Sequence, residues 1–201
     1  PYDIVAMANG DFYISDDYQH TIRKLSGGMV TTVAGNAGTS GDNDATGTAA
    51  LFADPMGMCK MDESNILICD YNNGKIRKLN VTTNVVTTVV SGLFGPRDVE
   101  YVNGVIYITQ GREIKKYENS TLTTYCGSNA VLPDSTFGTL AQTMFGSLRN
   151  IVYNKKENAL YVVDNQFGVI KRIILDNGPI IDFDATPRSA SVNQVVKLTD
   201  L

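Results

Sequence analysis

The chain has no tryptophan, a single histidine (His20) and only six prolines among 201 residues. One imidazole cannot build a zinc site that needs several. No Ser–His–Asp or Cys–His arrangement is readable either. Glutamate is confined to Glu63, Glu100, Glu113, Glu118 and Glu157, which leaves few candidates for carboxylate chemistry. No apolar run approaches the roughly 18 residues that a membrane helix needs, so this segment is not expected to insert in a bilayer. No secretory leader is visible. Basic residues number 17 against 21 acidic, for a net charge of −4. A protein that wraps nucleic acid needs a basic field, so no nucleic-acid partner is expected. Helical periodicity is also missing over any window of about 11 residues or more.

Cysteine is scarce and odd in number: Cys59, Cys69 and Cys126. Cys59 and Cys69 should fall on neighbouring strands, so a local disulfide between them is sterically possible, with Cys126 left over. Three inert buried thiols are the competing reading. The count does not settle the redox compartment.

What the chain does have is a motif repeated four times. An apolar strand ends in an acidic or polar residue, and after a polar gap comes Ile followed by two basic residues. The copies read Tyr13-Ile14-Ser15-Asp16 with Ile22-Arg23-Lys24-Leu25, and Leu67-Ile68-Cys69-Asp70 with Ile76-Arg77-Lys78-Leu79. They continue as Tyr107-Ile108-Thr109-Gln110 with Ile114-Lys115-Lys116-Tyr117, and Tyr161-Val162-Val163-Asp164 with Ile170-Lys171-Arg172-Ile173. A Thr-rich strand running into Gly follows most copies. In the second copy, Pro55 to Met61 is extended, Asp62-Glu63-Ser64-Asn65 is a turn, and Ile66 to Cys69 is a buried strand. Lys75 to Leu79 alternates as a half-exposed strand should, and Val85 to Val90 is the outermost strand. In the third copy Val102-Asn103-Gly104-Val105 carries the Asn-Gly hairpin signal.

A four-stranded meander cannot bury both faces alone. Radial stacking of copies hides the faces and protects the edges, which is the logic of a β-propeller. The expected blades are about 1–35, 54–92, 95–127 and 147–183, with long inserts at 36–53 and 128–146. The tail 187–201 resembles the opening of the third copy and is read as a partial fifth blade. A closing strand is the alternative. The fold class is therefore all-β, a propeller segment within one domain.

These residues resemble the NHL repeat: Pro-x-x-Ile/Met/Val, then Tyr-Ile-x-Asp, then Ile-Arg-Lys-Leu, then Val-Thr-Thr-Val-Ala-Gly. The Gly- and Asp-rich stretch from Ala34 to Pro55 is similar to a loop of extracellular and plant NHL proteins. The resemblance covers residues 1–183 and implies a propeller that usually has six blades. Two departures stand out: Gln110 replaces the usual Asp, and Leu148 the usual Pro. The family's basic residue just before the Ile is Thr21, Lys75, Glu113 and Val169 here, so its pairing with the Asp is not expected in at least three blades. The amidating-lyase branch relies on metal-bound histidines, which one His20 cannot supply.

Recurrence of Asp16, Asp70 and Asp164 at one position marks a scaffold role, the carboxylate capping N–H groups of the following loop. Metal binding by such a ring is the sharper reading; no metal and no other cofactor is expected. In each basic pair one side chain lies between blades with its stem on apolar surface, and the two form no common patch. Glu100, on an inner strand, is the one candidate for chemistry at a channel mouth.

The loops after each second strand carry Tyr18, Gln19 and His20; Tyr71, Asn72 and Asn73; Arg112; and Gln166 and Phe167. Aromatics beside amides are the material of protein recognition, and these nine residues are the candidate partner-binding rim. Packing of the aromatics on the next blade is the competing reading. Asn80-Val81-Thr82 and Asn119-Ser120-Thr121 are N-glycosylation sequons, each at the turn after the Ile-basic strand. The expected function is a non-enzymatic interaction module of a surface or secreted glycoprotein, binding another protein and possessing no catalytic residues. The adhesion glycoproteins of kinetoplastid flagella, which carry such propellers, offer one concrete form of that resemblance. The alternatives are a lactonase- or strictosidine-synthase-like enzyme and an RNA-binding NHL domain.

Overall fold

Tyr-Ile-Ser-Asp and its cognates are β-branched and aromatic, with polar turns on both sides, and each becomes the second strand of a four-stranded antiparallel sheet. The computed structural model describes residues 1–128 and 144–175, and the backbone of 192–197. Blade one is β1 (Asp3–Ala6), β2 (Phe12–Asp16), β3 (Thr21–Ser26) and β4 (Met29–Ala34). Blade two is β5 (Pro55–Lys60), β6 (Asn65–Asp70), β7 (Lys75–Asn80) and β8 (Val86–Val90). Blade three is β9 (Pro96–Val102), β10 (Val105–Gln110), β11 (Glu113–Glu118) and β12 (Thr121–Gly127). Blade four is β13 (Leu148–Asn154), β14 (Ala159–Asp164), β15 (Val169–Ile174) and β16 (Val192–Lys197). Strands run in sequence order across each sheet, the meander of a propeller blade. The fold is an all-β propeller.

Two corrections concern the tail and the cysteines. Val192–Lys197 pairs antiparallel with β15, Ile170 opposite Val196 and Lys171 opposite Val195. It is the fourth strand of blade four and does not open a fifth blade. Its likeness to the opening of the third copy marks a strand without naming the edge it joins, and the open edge of β15 takes it. The part of the expected fourth blade at 176–183 lies outside the described residues, as does most of the insert 128–146. Cys59, Cys69 and Cys126 are all buried free thiols. The register sets Cys59 opposite Leu67, with Met58 opposite Ile68, so Cys69 is not the cross-strand partner of Cys59 and the bridge is not formed. Burial pushes all three thiols up, Cys126 to about 12 against the pull of Lys171.

The chain divides into two compact units, Pro1–Ile108 and Thr109–Leu201. In the first, the back of blade one packs on the front of blade two. Val5, Tyr13, Ile22 and Ala34 meet Met58, Ile66, Ile68, Leu79 and Val86, with Phe52 of the insert in the same cluster. Each large apolar side chain so buried contributes about 1.5–3 kcal/mol. The next contact, β5 and β6 on β9, is tighter: a Cβ on Gly57 would lie 2.2 Å from Asp98 Oδ1 and 2.6 Å from the Arg97 carbonyl oxygen. Only glycine fits there.

One irregularity recurs. The pairing of the third and fourth strands shifts just after the Ile in blades one, two and three. Ile76 faces Val90 but Arg77 faces Thr88, so Val89 is the extra residue of a bulge. Bulges of this kind re-aim the neighbouring side chain. Here that side chain is the first of the two basic residues.

Candidate functional site

Asp70 ends β6 and is wholly buried, so its charge must be met from within. Its Oδ1 accepts the Ala53 N–H at 2.8 Å, and its Oδ2 accepts from Asn73 Nδ2 at 2.9 Å and Arg77 Nη1 at 2.7 Å. Burial pushes the Asp70 carboxyl up; Asn73, the Ala53 N–H and Arg77 act against it. The carboxylate thus gathers the loop before the blade as well as the loop after it. Capping of the following loop alone, as expected from sequence, holds in blade one, where the Gln19 N–H reaches Asp16 Oδ1 at 3.4 Å.

Arg77 is also wholly buried, beyond the expected burial of its stem alone. All five guanidinium N–H groups have acceptors. Nη1 donates to Asp70 and to the Leu51 carbonyl at 3.1 Å. Nη2 donates to the Asn43 carbonyl at 2.9 Å and Asp44 Oδ1 at 2.6 Å, and Nε donates to Asp44 Oδ1 at 3.0 Å. Its plane lies 5.2 Å from the Phe52 ring. Asp44 also accepts the Thr88 N–H at 2.9 Å, and Asp42 pairs with Lys75 at 2.6 Å. The side chain after the Ile, and not the one before it, therefore pairs with the Asp, and it fastens the insert 36–53 to blade two.

Blade four repeats the device with lysine. Asp164 accepts the Gly146 and Ser147 N–H groups at 2.9 and 3.0 Å and lies 3.5 Å from Lys171 Nζ. Lys171, fully buried, donates to the Met144 carbonyl and sits 4.8 Å from the Phe145 ring. Burial pushes the Lys171 ammonium down, opposed by Asp164. Leu51-Phe52-Ala53 and Met144-Phe145-Gly146 play equivalent parts. In blades one and three the same basic position turns outward: Arg23 donates to Thr32 Oγ1 at 3.0 Å and Lys115 to Thr124 Oγ1 at 2.7 Å. Blade three is entered by the short segment 91–95, so its Lys115 has no long insert to fasten.

These anchors set the rim of the first unit. Tyr18 is 83% exposed. The Gln19 carbonyl accepts the Gly38 N–H at 3.1 Å. His20, at φ +57°, accepts the Asp54 N–H on Nδ1 at 3.1 Å. Asp54 accepts from the exposed Asn72 amide. Tyr71 lies under Arg97, the guanidinium 5.1 Å from its ring, and close against Gly95. Asn73 is spent on Asp70 and the Gly41 carbonyl at 2.7 Å. The structure thus joins Tyr18, His20, Asn72 and Tyr71 along one edge, gives the Asn73 side chain to scaffold work, and engages Gln19 through its backbone. In the second unit Arg112 donates to the Gly146 carbonyl at 3.1 Å, Phe167 packs by Gly146 with its ring 5.6 Å from Lys171, and Gln166 is exposed.

Sequence reasoning missed two rim residues. Asp54 bridges His20 to Asn72, and Phe94 is 89% exposed beside Gly95, which touches Tyr71. An aromatic between Gly92 and Gly95 was the available signal for Phe94. Among the described residues no cluster of three or more His, Cys, Asp or Glu is placed to hold a metal ion. Glu100 lies half-buried on β9, its Oε1 accepting the Tyr101 N–H at 3.2 Å. No described helix is long and apolar enough to cross a membrane.

No family model matches the chain. A 102-residue stretch is 26% identical to the chloroplastic protein SUPPRESSOR OF QUENCHING 1 of Arabidopsis thaliana, covering 48% of this chain and 10% of that one. Among solved structures, the virginiamycin B lyase of Staphylococcus aureus aligns over 85% of this chain and 51% of its own, at 15% identity and a TM-score of 0.59. A chain of a nidogen/laminin complex aligns over 85% of this chain and 57% of its own, at 16% identity and a TM-score of 0.59. The chain thus spans a tenth of the curated relative and about half of these propellers. At such identity the likeness establishes the fold, and these propellers include both an enzyme and a binding protein.

Proposed function

We propose that this chain is an NHL-type propeller segment of an extracellular or cell-surface glycoprotein, and that it binds another protein through its rim loops. The observation that carries this is the row from Tyr18 to Phe94 in the first unit. Two aromatics more than four-fifths exposed flank a hydrogen-bonded His20–Asp54–Asn72 chain. Large exposed rings are costly on a surface that meets only water, and they are the usual anchors of protein interfaces. The loops behind them are held from below by Asp70 and Arg77, so the surface is presented with little ordering left to do.

The glycoprotein reading rests on the sequons. Asn119 is exposed in a turn with Ser120, at φ +49° and +61°. Asn80 instead caps its own turn, its Oδ1 accepting the Thr82 and Thr83 N–H groups at 3.1 and 2.9 Å. In secretory expression, Asn119→Gln removes one glycan, while Asn80→Gln leaves the glycan mass unchanged.

The test of binding is a photo-crosslinking residue at position 18 or 94, with exposed position 155 as control, presented to intact cell surfaces. A discrete protein adduct from 18 and 94 but not from 155 supports the reading. Equal labelling from all three, or hydrolysis of a lactone abolished by Glu100→Ala, counts against it. The RNA alternative predicts retention on a polyanion column with a steep salt slope, and flow-through removes it.

A further inference from the structure

Two rim residues stand where the repeat elsewhere uses glycine. The residue just before the third strand has a left-handed backbone in blades one, two and four: His20 at φ +57°, Gly74 at +62° and Gly168 at +61°. The residue just before the proline that opens β5 and β9 is left-handed too, Asp54 at +57° and Gly95 at +60°. Glycine takes this region at no steric cost, whereas other residues persist there only when their surroundings hold them. At these positions the two residues that do carry side chains, His20 and Asp54, are bonded to each other.

Their bond depends on the protonation state of the imidazole. The Asp54 N–H donates to His20 Nδ1 at 3.1 Å, so Nδ1 presents a lone pair and the neutral ring carries its proton on Nε2. Asp54 Oδ1 lies 3.3 Å from the same Nδ1, while Oδ2 accepts from the Asn72 amide. A proton added at Nδ1 turns this acceptor into a donor. The Asp54 N–H then loses its acceptor, and Oδ1 becomes the partner of the new N–H as an ion pair. The pair thus has two hydrogen-bond arrangements, and only the neutral one fastens the backbone that enters β5. The His20 side chain is 19% exposed, so a proton from water can reach it.

The other groups around the ring leave this exchange between His20 and Asp54. In its own turn the carboxylates are Asp16, whose Oδ1 accepts the Gln19 N–H, and Asp17; they lie 3.8 and 3.9 Å from the Pro1 amino group. The start of the insert, Gly35 to Gly38, packs on the backbone of Gln19 and His20 and carries no charge. From blade two the carboxylate that meets the ring is Asp54 itself. The cations of the adjoining loops are spent, Lys75 on Asp42 and Arg97 over the Tyr71 ring.

We propose that His20 is a pH-operated latch of the rim. Neutral, it joins the Tyr18 loop to the Asp54 loop and, through Asn72, to Tyr71. Protonated, it releases the Asp54 N–H and the loops uncouple. Imidazole is the side-chain type that changes charge between about pH 5 and 8, and the chain has one. A partner seated across these loops is held at neutral pH and shed in an acidic compartment. That last step rests on the rim reading; the exchange of hydrogen bonds does not.

The test is nuclear magnetic resonance of the nitrogen-15-labelled full chain, titrated from about pH 8 to about pH 5. The single imidazole makes the ring signal unambiguous. A nitrogen–nitrogen coupling across the bond between His20 Nδ1 and the Asp54 amide is expected at the alkaline end and is lost at the acid end. Protection of the Asp54 amide, relative to intrinsic exchange at each pH, falls by about fivefold or more with the midpoint of the ring. In His20→Gln, which has an acceptor oxygen but no proton to gain, Asp54 protection is flat over the same range. A coupling missing at the alkaline end or surviving at the acid end overturns the proposal. So does Asp54 protection that ignores the ring, or that falls equally in His20→Gln. All of this is read on the chain alone, so a rim that binds no protein leaves the result unaffected. Where a crosslinker at position 18 captures a protein at the alkaline end, its yield is expected to drop at the acid end, and to drop less in His20→Gln. An equal drop in both overturns the regulation.

Discussion

Arg77 is the residue on which the first unit's rim depends. Its five N–H groups are divided among two carboxylates and two carbonyls, and its partner Asp70 has no access to water. Arg77→Met leaves that carboxylate buried and unpaired, at a cost of about 3–5 kcal/mol. It should lower the urea midpoint without changing the slope. Arg77→Lys keeps the charge but not the fork of donors, and should recover only part of the loss. Gly57→Ala tests a different constraint: its methyl would meet the β9 backbone, and about 1–3 kcal/mol of overpacking is expected in the same assay. Asp44 gives a pH signature. Burial would raise its carboxyl, but the Thr88 N–H, Arg77 and the Thr88 hydroxyl together hold it below the ordinary 3.8. A depressed carboxyl stabilises above its unfolded pKa and loses that contribution as pH falls through the lower folded value. The protection of the residue 42–53 amides, taken relative to intrinsic exchange at each pH, should therefore fall on acidification below the ordinary aspartate range, before that of the β6 and β7 amides does. Protection of the insert that does not change with pH would contradict the role given to Asp44.

At the scale of elements, the strands were legible and the clasp was not. Tyr-Ile-Ser-Asp, the Asn-Gly hairpin and the alternating Lys-Ile-Arg-Lys-Leu follow local rules that the fold obeys. The burial of Arg77 depends on Asp44, 33 residues away, and on a bulge at Val89 that no local pattern announces. Blade three has the same Ile-basic signature, yet Lys115 stays part-exposed because its partners are Thr124 and the neighbouring Glu113. Lys115→Ala should thus cost no more than about 1 kcal/mol, as exposed pairs do. Lys171→Ala, which strands Asp164, should cost several times as much in the same denaturation assay. Equal losses at the two positions would show that burial does not separate them. Of the rim residues read from sequence, Tyr18, Asn72 and Gln166 lie open, while Asn73 and Arg112 hold neighbouring loops. Side chains that bind a partner and side chains that bind the next loop have the same composition, which is why the pattern could not sort them.

At the scale of the whole molecule, four repeats sufficed to read a propeller, because each sheet leaves two faces that only another sheet of its kind covers. The tail resembles the opening of the third copy because both are strands, and that likeness cannot say which edge the strand joins; the free edge of β15 sets its place. The Cys59–Cys69 bridge failed on register, a property of the paired strands and not of their spacing in sequence. The most direct test of rim recognition is the affinity of the crosslinked partner for the Tyr18→Ala, Phe94→Ala double variant, with Lys155→Ala as control. Anchors of this kind are worth about 2 kcal/mol each, so the double variant should bind at least roughly a hundredfold more weakly while its unfolding is unchanged. Unaltered affinity in the double variant would contradict the account.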